Sequence, residues 1–300
     1  MTKLGVGLLA ATVTVLVLEW WRHRARALPL YGWMGLVALL AFEWMKFRQI
    51  EPVYTFFTCF AWTCYILIAD AAVFAVNGRS RLQQKPVEFA RIALLSIPLW
   101  LIFEGYNLHL NNWMYVGLPE NIVVRWFGYA WAFATITPAI FVTADLIRAF
   151  GWFTEAKPVK FSPRALHAMT AAGALMLVVP LLLPQRVAAY LFAPVWLGFI
   201  FLLDPANYRL GLPSLLGDLE LGRRDRVYGL LIAGWVCGIL WEFWNNWAGA
   251  KWIYIFPMFQ SWKIFEMPAP GFLGFPPFAL ETFSMYVFTA HFLGWVKRKT

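Results

Sequence analysis

The chain has 300 residues, of which 61% are hydrophobic, 19% aromatic and only 14% charged. This composition is too apolar for a soluble domain of that length, so we expect an integral membrane protein built as a bundle of helices. The net charge of +9 does not indicate nucleic-acid binding, because the basic residues lie in short loops between apolar runs. The three cysteines lack the spacing of a metal site, and neither a metal nor a cofactor is predicted.

Nine apolar segments predict nine membrane-spanning helices. They lie at about 4–20, 31–48, 53–74, 90–107, 122–147, 165–184, 187–204, 227–247 and 272–295. The first segment runs into Glu19 and Arg22 without a small-residue cleavage site, so we do not expect it to be a removed signal peptide. Only residues 184–186 separate the sixth and seventh segments, which predicts a tight helical hairpin.

The loop charges predict the orientation. Most lysines and arginines fall on one side of the nine-span arrangement, and the positive-inside rule assigns that side to the cytoplasm. The N-terminus is therefore expected outside and the C-terminus in the cytoplasm. We expect a multi-pass protein of the cell's inner (plasma) membrane, with the lipid bilayer as its surroundings.

An acid-bearing apolar helix occurs twice in the chain. Residues 101–107 return as residues 239–245, and each copy precedes a Trp-x-Tyr segment. A carboxylate inside such a helix costs about 2.5–3.5 kcal/mol on insertion scales, and by default it marks a functional site. The matched positions are Glu104 and Glu242, Asn107 and Asn245, Trp113 and Trp252, and Tyr115 and Tyr254.

The duplication extends beyond the acidic helix. The segment from Trp62 to Asp70 matches the segment from Trp196 to Asp204, in the same order along the chain. An even number of spans separates matching helices, which predicts two parallel repeats related by an axis along the membrane normal. The expected units are an extra N-terminal helix and basic loop at 1–30, a first four-helix repeat at 31–150 and a second at 151–300.

A third acid, Glu281, lies about two turns into the last span, after the helix-starting pair Pro276-Pro277. Glu104 and Glu242 lie near the outer ends of their spans, so we expect the three carboxyls to converge in the outer half of the bundle. Asp70, Asp145 and Asp204 lie near the opposite ends of their helices. For those three we expect bonds to loop or helix-end groups.

Carboxyls buried among aromatic rings are suited to protonate an alkene. Burial disfavours the charged form, so such a group can act as a general acid. Aromatic faces stabilise the resulting cation by about 0.5–2 kcal/mol each, and a second carboxylate removes a proton to finish the reaction. We expect Glu281 and Glu242 to form this pair, with Asn245 orienting Glu242 and Glu104 as the counterpart in the first repeat. The predicted substrate-binding residues are Trp241, Trp244, Asn245, Trp252, Tyr254 and Phe283, with Asn107, Trp113 and Tyr115 in the first repeat.

The order of these residues carries a resemblance to a known family. The residues concerned are Trp241-Glu242, Gly249, Trp252-x-Tyr254, Gly274, Pro276-Pro277 and Glu281-x-Phe283. Over about 238–288, and partly over about 100–140, the chain resembles the three-helix domain of membrane lycopene cyclases of the non-flavin, often heterodimeric type. The resemblance implies proton-driven cyclisation of a carotenoid end group, as an intramolecular lyase or isomerase.

The chain also departs from that family pattern. Where the family has Pro-x-Glu-Glu, this chain has a single acid, Glu281. At about the corresponding place in the first repeat it has a threonine, Thr135 or Thr137, instead of an acid. We therefore expect a carotenoid or another isoprenoid lipid as substrate. The identity of that substrate, the direction of the reaction, a partner subunit and the oligomeric state are left open by the sequence.

Other interpretations of the same residues stand beside this one. The paired Glu and Asn residues can be polar contacts that hold the bundle together, across the repeats or to Arg125 and Lys251. The Trp-x-Tyr segments can form an aromatic belt at the membrane surface. The functional alternatives are a proton-coupled transporter of a small or lipidic substrate and a non-catalytic lipid- or pigment-binding protein.

Overall fold

The computed structural model describes residues 2–153 and 156–298. These residues form an all-α protein of twelve α-helices, with four short strands in two ribbons. The helices are α1 Thr2–His23, α2 Leu30–Phe47, α3 Phe57–Asn77, α4 Arg81–Gln84, α5 Pro86–Leu110, α6 Ile122–Ala149, α7 Pro163–Leu182, α8 Gln185–Ala188, α9 Phe192–Arg209, α10 Leu215–Glu220, α11 Asp225–Trp247 and α12 Phe275–Phe292. The strands are β1 Trp113–Val116, β2 Lys251–Tyr254, β3 Lys263–Ile264 and β4 Met267–Pro268.

Six of the helices are long and apolar enough to cross a membrane: α1, α3, α5, α6, α7 and α11. This confirms the multi-pass helical class that the composition predicts. The observed helices extend a few residues beyond several predicted spans because helical hydrogen bonding continues into polar residues. The link between α7 and α9 differs from the predicted three-residue turn, since it runs from residue 183 to 191 and contains the short helix α8.

The helices pack in two similar sets. In one set α2 packs on α3, α3 on α6 and α6 on α5. In the other α7 packs on α9, α9 on α12 and α12 on α11. The sets meet through α6 against α11, with α5 against α12. Helix α1 lies on the outside and buries only Gly5, so it presents apolar side chains along nearly all of its surface.

A pair of glycines brings α12 close to α11. Gly234 and Gly238 lie one turn apart on α11, and a Cβ at either position would meet Phe275 at the start of α12. Small residues at this spacing let helix backbones approach closely within a membrane. Pro276 and Pro277 occupy the first turn of α12, where backbone N–H groups need no helical partner. The start of α12 is thus fixed beside the acid-bearing part of α11.

Two buried aspartates fasten short helices at the opposite end of the bundle. Asp70 of α3 accepts the backbone N–H of Leu82 in α4 at 3.1 Å. Asp204 of α9 accepts the N–H groups of Leu215 and Leu216 in α10 at 2.8 and 2.9 Å. The prediction that both aspartates bond helix-end groups is confirmed.

Candidate functional site

The two Trp-x-Tyr segments form one antiparallel ribbon. Strand β1 pairs with β2, so that Trp113 lies opposite Tyr254 and Tyr115 lies opposite Trp252. Each tryptophan therefore faces the tyrosine of the other segment. The sequence placed both segments after acid-bearing helices, but their pairing is a contact between distant parts of the chain that neither segment encodes by itself.

An asparagine at each acid-bearing helix end holds its strand. The Asn107 side chain donates to the carbonyl of Trp113 at 2.8 Å and accepts its N–H at 3.1 Å. The Asn245 side chain donates to the carbonyl of Trp252 at 2.8 Å and accepts its N–H at 2.9 Å. Among these contacts Asn245 makes none to Glu242, in contrast to its predicted orienting role, because both ends of its amide bind the strand.

Glu104 is half-buried and well supplied with donors. Its Oε1 accepts the hydroxyl of Tyr115 at 2.5 Å. The indole N–H groups of Trp100 and Trp113 donate to the same oxygen at 2.8 and 3.3 Å. The carboxyl is therefore tied to its own helix and to strand β1.

Glu242 is fully buried and has fewer donors. Its Oε1 accepts the hydroxyl of Tyr254 at 2.8 Å, and that hydroxyl also accepts the indole N–H of Trp252 at 3.0 Å. Its Oε2 has no hydrogen-bond partner among the described residues. The predicted alternative partner Lys251 bonds Glu266 at 2.5 Å instead.

Glu281 is also fully buried, but it faces a different neighbour. Its Oε1 accepts the backbone N–H of Phe199 in α9 at 3.2 Å. Within residues 2–153 and 156–298, its Oε2 has no partner. This carboxyl therefore lies between α12 and α9, whereas Glu242 faces the ribbon.

The two tyrosines of the ribbon are protonated donors. Burial raises the pKa of Tyr115 and of Tyr254 well above the ordinary value, and the neighbouring Glu104 or Glu242 raises it further. Both hydroxyls therefore keep their proton at neutral pH and can donate it to the carboxyl beside them.

A cavity of about 140 Å³ lies between the two helix sets, beneath the ribbon. Aromatic side chains make up most of its wall. They are Phe56, Trp62, Trp100, Trp113, Tyr115, Tyr129, Phe133, Trp196, Trp241, Trp252, Tyr254, Phe275 and Phe278. The cavity is thus an apolar, ring-lined space that both tyrosines of the ribbon reach.

Five of the predicted binding residues line this cavity: Trp113, Tyr115, Trp241, Trp252 and Tyr254. The others lie behind its wall or elsewhere in the part of the chain that the structure describes. Trp244 packs edge-on against Trp62, with ring centroids 4.9 Å apart. Asn107 and Asn245 hold the ribbon, and Phe283 packs against Phe141 and Arg226.

None of the three glutamates is among the lining residues that the structure describes. Glu104 and Glu242 lie directly behind the lining tyrosines that bond them. Glu281 lies one turn beyond the lining residue Phe278 on α12. The cavity therefore meets two of the carboxyls through a tyrosine hydroxyl.

Several lining residues were not predicted as part of the site. Trp62 and Trp196 occupy matched places in two similar sequence segments, and that match was a usable signal. Trp100 lies one turn before Glu104, but its role depends on the indole direction. The sequence suggests Arg125 only as a polar contact of the paired Glu and Asn residues, yet it lines the cavity and donates from Nε to the carbonyl of Pro119 at 2.9 Å.

A buried ion pair supports one side of the wall and was also missed. Lys46 is almost completely buried and bonds Glu43 at 2.5 Å. Glu43 in turn accepts the indole N–H of Trp244 at 3.0 Å, and Trp244 packs on the lining residue Trp62. The spacing of Glu43 and Lys46 on one helix face was the only sequence signal for this arrangement.

Residues 2–153 and 156–298 contain no cluster of three or more His, Cys, Asp or Glu side chains suited to a metal ion. Comparison of the chain with protein-family models, with curated proteins and with solved structures gives no match. The cavity and the glutamate–tyrosine pairs beside it are therefore the features of the described residues that bear on function.

Proposed function

We propose that the protein is a membrane enzyme that moves a proton to and from a double bond of a carotenoid or other isoprenoid lipid. The observation that carries the proposal is the contact between Tyr254, which lines the aromatic cavity, and the fully buried Glu242. The likeness to membrane lycopene cyclases is part of this proposal.

The size of the cavity suits one end of such a lipid. An apolar cavity of about 150 Å³ holds a benzene-sized molecule and stays dry. This cavity is of that size, so it accommodates a ring-sized end group while the rest of the chain extends toward lipid. A dry site is what alkene protonation needs, because water would otherwise capture the cation.

The carboxyls have the surroundings of neutral acids. Among the described residues, no Lys, Arg or His nitrogen lies within 4.0 Å of a carboxylate oxygen of Glu242 or Glu281. Removing a lone carboxylate from water is costly, so the protonated form is favoured at both sites. Each is then available as a proton donor at neutral pH.

The reaction can proceed without an oxidant or a cofactor. Tyr254 gives its hydroxyl proton to the alkene and takes the proton of Glu242, which leaves a carbocation in the cavity. The faces of Trp241 and Trp252 stabilise that cation. The cation then loses a proton to the Glu242 carboxylate by way of Tyr254, which completes a cyclisation or isomerisation and regenerates both groups. We propose Glu281, also a neutral acid, as a second proton donor.

We further propose that α2, α9 and α12 also cross the membrane, which gives nine spans. Each has 18 residues, or about 27 Å at 1.5 Å per residue, close to the thickness of the hydrocarbon core. Reporter fusions at residues 2 and 300 in the inner membrane should then report opposite sides, with the first outside. Reporters on the same side would contradict the nine-span arrangement.

The two helix sets are proposed to be parallel repeats, 31–150 and 151–300, after the extra helix in 1–30. The support is the matched set of contacts, since the Glu–Tyr and Asn–Trp bonds recur in both. The antiparallel pairing of β1 with β2 places equivalent residues symmetrically about one axis. Such an axis would run along the membrane normal through the cavity.

Product analysis tests the enzymatic proposal. The protein would be expressed in hosts that accumulate lycopene or polyprenyl lipids, and the membrane lipids would be compared by mass and retention time. We expect an isomeric product of unchanged mass that is lost in the Glu242→Gln variant. Unchanged lipids in every host, with the protein present in the membrane, would contradict the proposal.

A second candidate function is a non-catalytic lipid- or pigment-binding protein. It is favoured by the position of the three glutamates behind the cavity wall rather than in it. That alternative predicts that the purified protein retains an unaltered isoprenoid and that Glu242→Gln still retains it. Neither the wild type nor Glu242→Gln should then form a product.

A further inference from the structure

The cavity has a polar edge that the proposed proton chemistry does not use. Buried rings such as Trp196, Trp241 and Phe278 form part of its wall, and half-exposed residues form the rest. We call one group of these half-exposed residues the mouth: Thr58, Leu118, Pro119, Arg125 and Tyr129. A ligand that fills the cavity therefore meets buried apolar rings and also the polar groups of the mouth.

Arg125 is a cation without a carboxylate partner in the described part of the chain. Its Nε donates to the carbonyl of Pro119, which fixes the side chain at the mouth and leaves both terminal nitrogens available. The other basic lining residue, Lys251, is bonded to Glu266 at 2.5 Å. The positive charge at the mouth is thus uncompensated on the Arg125 side.

Tyr129 adds a second donor on the same face. It lies four residues after Arg125 on α6, so the two side chains project from neighbouring turns of one helix. Both line the cavity. A guanidinium with two free nitrogens, next to a phenol, is a geometry that binds phosphate oxygens through charge-assisted hydrogen bonds.

We propose that the ligand is an isoprenoid with a phosphate or diphosphate end, which Arg125 and Tyr129 bind at the mouth. The isoprene unit next to the phosphate then fills the benzene-sized aromatic cavity, and the remaining units extend toward lipid. This inference rests on the proposed function and narrows its substrate class. It assigns Arg125 to recognition of the lipid end and leaves the proton chemistry to the glutamate–tyrosine pairs.

The test compares two ligands that differ only in the end group. Geranylgeranyl phosphate and geranylgeraniol are titrated into the purified full-length protein in nanodiscs, and quenching of tryptophan fluorescence reports binding at the Trp-rich cavity. We expect the phosphate to bind about tenfold tighter or more, because hydrogen bonds to charged groups are the stronger ones. Arg125→Gln should abolish that preference, whereas Arg125→Lys should keep part of it.

Arg186→Gln is the matched control, since this arginine is exposed and is not among the lining residues described; it should bind like wild type. Equal affinity for both ligands in the wild type, or a preference that survives Arg125→Gln, would overturn the inference. Equal competition by phosphatidylglycerol would also overturn it, because Arg125 would then contact bulk lipid. If the alcohol and lycopene still bind, only the phosphate inference fails; if no isoprenoid binds, the proposed function fails as well.

Discussion

The acid-bearing parts of α5 and α11 share a sequence pattern but differ in the solvent exposure of their carboxyl groups. Glu104 is half-buried and receives three donors on one oxygen. Glu242 is completely buried and receives one. The residue one turn before each acid accounts for much of this difference. Before Glu104 it is Trp100, whose indole donates to the carboxyl, and before Glu242 it is Gly238, which admits the Phe275 ring instead.

This comparison indicates that one local pattern can serve two purposes. A carboxyl with several donors and some exposure is stabilised and held in place, which suits a structural contact. A carboxyl with one donor and an apolar surrounding is poised to exchange a proton. The Glu–Tyr–Asn pattern therefore holds the ribbon in both places, while its neighbours decide how far each carboxyl is shielded from solvent.

The largest expected effect is on the rate of product formation, which should differ between substitutions of the three glutamates. Glu242→Gln and Glu281→Gln should each lower product formation by about 10²–10⁴-fold, because glutamine cannot give or take the proton. Glu104→Gln should cost less than about tenfold, since glutamine keeps an oxygen that can accept from the three donors. Product would be quantified per amount of folded protein in the membrane. Equal losses at Glu104 and Glu242 would remove the distinction, and near-wild-type turnover in Glu281→Gln would make that residue structural.

The next effect compares the asparagines that hold the ribbon. Asn245→Ala should lower the free energy of unfolding by about 2–4 kcal/mol, because it removes two hydrogen bonds and leaves the backbone of Trp252 unpaired. Asn107→Ala should cost less, because Asn107 is half-buried and water can replace part of its contacts. Denaturation of the purified protein in detergent measures both. A larger loss at Asn107 would show that the first strand, not the second, depends more on its asparagine.

The smallest effect concerns Gly238, the glycine that allows the Phe275 ring to shield Glu242 from solvent. Gly238→Ala should destabilise the protein by about 1–3 kcal/mol, because the added methyl meets the Phe275 ring and forces α11 and α12 apart. Gly105→Ala on α5 is the matched control, since a Cβ there meets no atom within 4 Å. That change should stabilise the protein by about 0.5–1 kcal/mol through lower backbone entropy of the unfolded chain. Similar thermal unfolding of the two variants would contradict the close helix contact.

Many of the helices could be predicted because helix formation depends on residues that are close together in the sequence. Apolar runs predict helices since each such segment satisfies its backbone hydrogen bonds within itself. The helix start at Pro276-Pro277 and the helix-end bonds of Asp70 and Asp204 follow from residue type and position. The aromatic-rich composition agrees with the ring-lined cavity, although the sequence did not identify several members of its wall, such as Trp100 and Phe278.

The sequence by itself thus determined the multi-pass helical class, the long apolar helices and the two acid-bearing segments that precede a Trp-x-Tyr segment. Only the tertiary structure decided that these strands pair with each other, that Glu281 faces Phe199 rather than the ribbon, and that Arg125 stands at the cavity mouth. The physical reason is that helix formation depends on neighbours along the chain. Strand pairing, cavity shape and the direction of a side chain depend instead on which distant elements pack together.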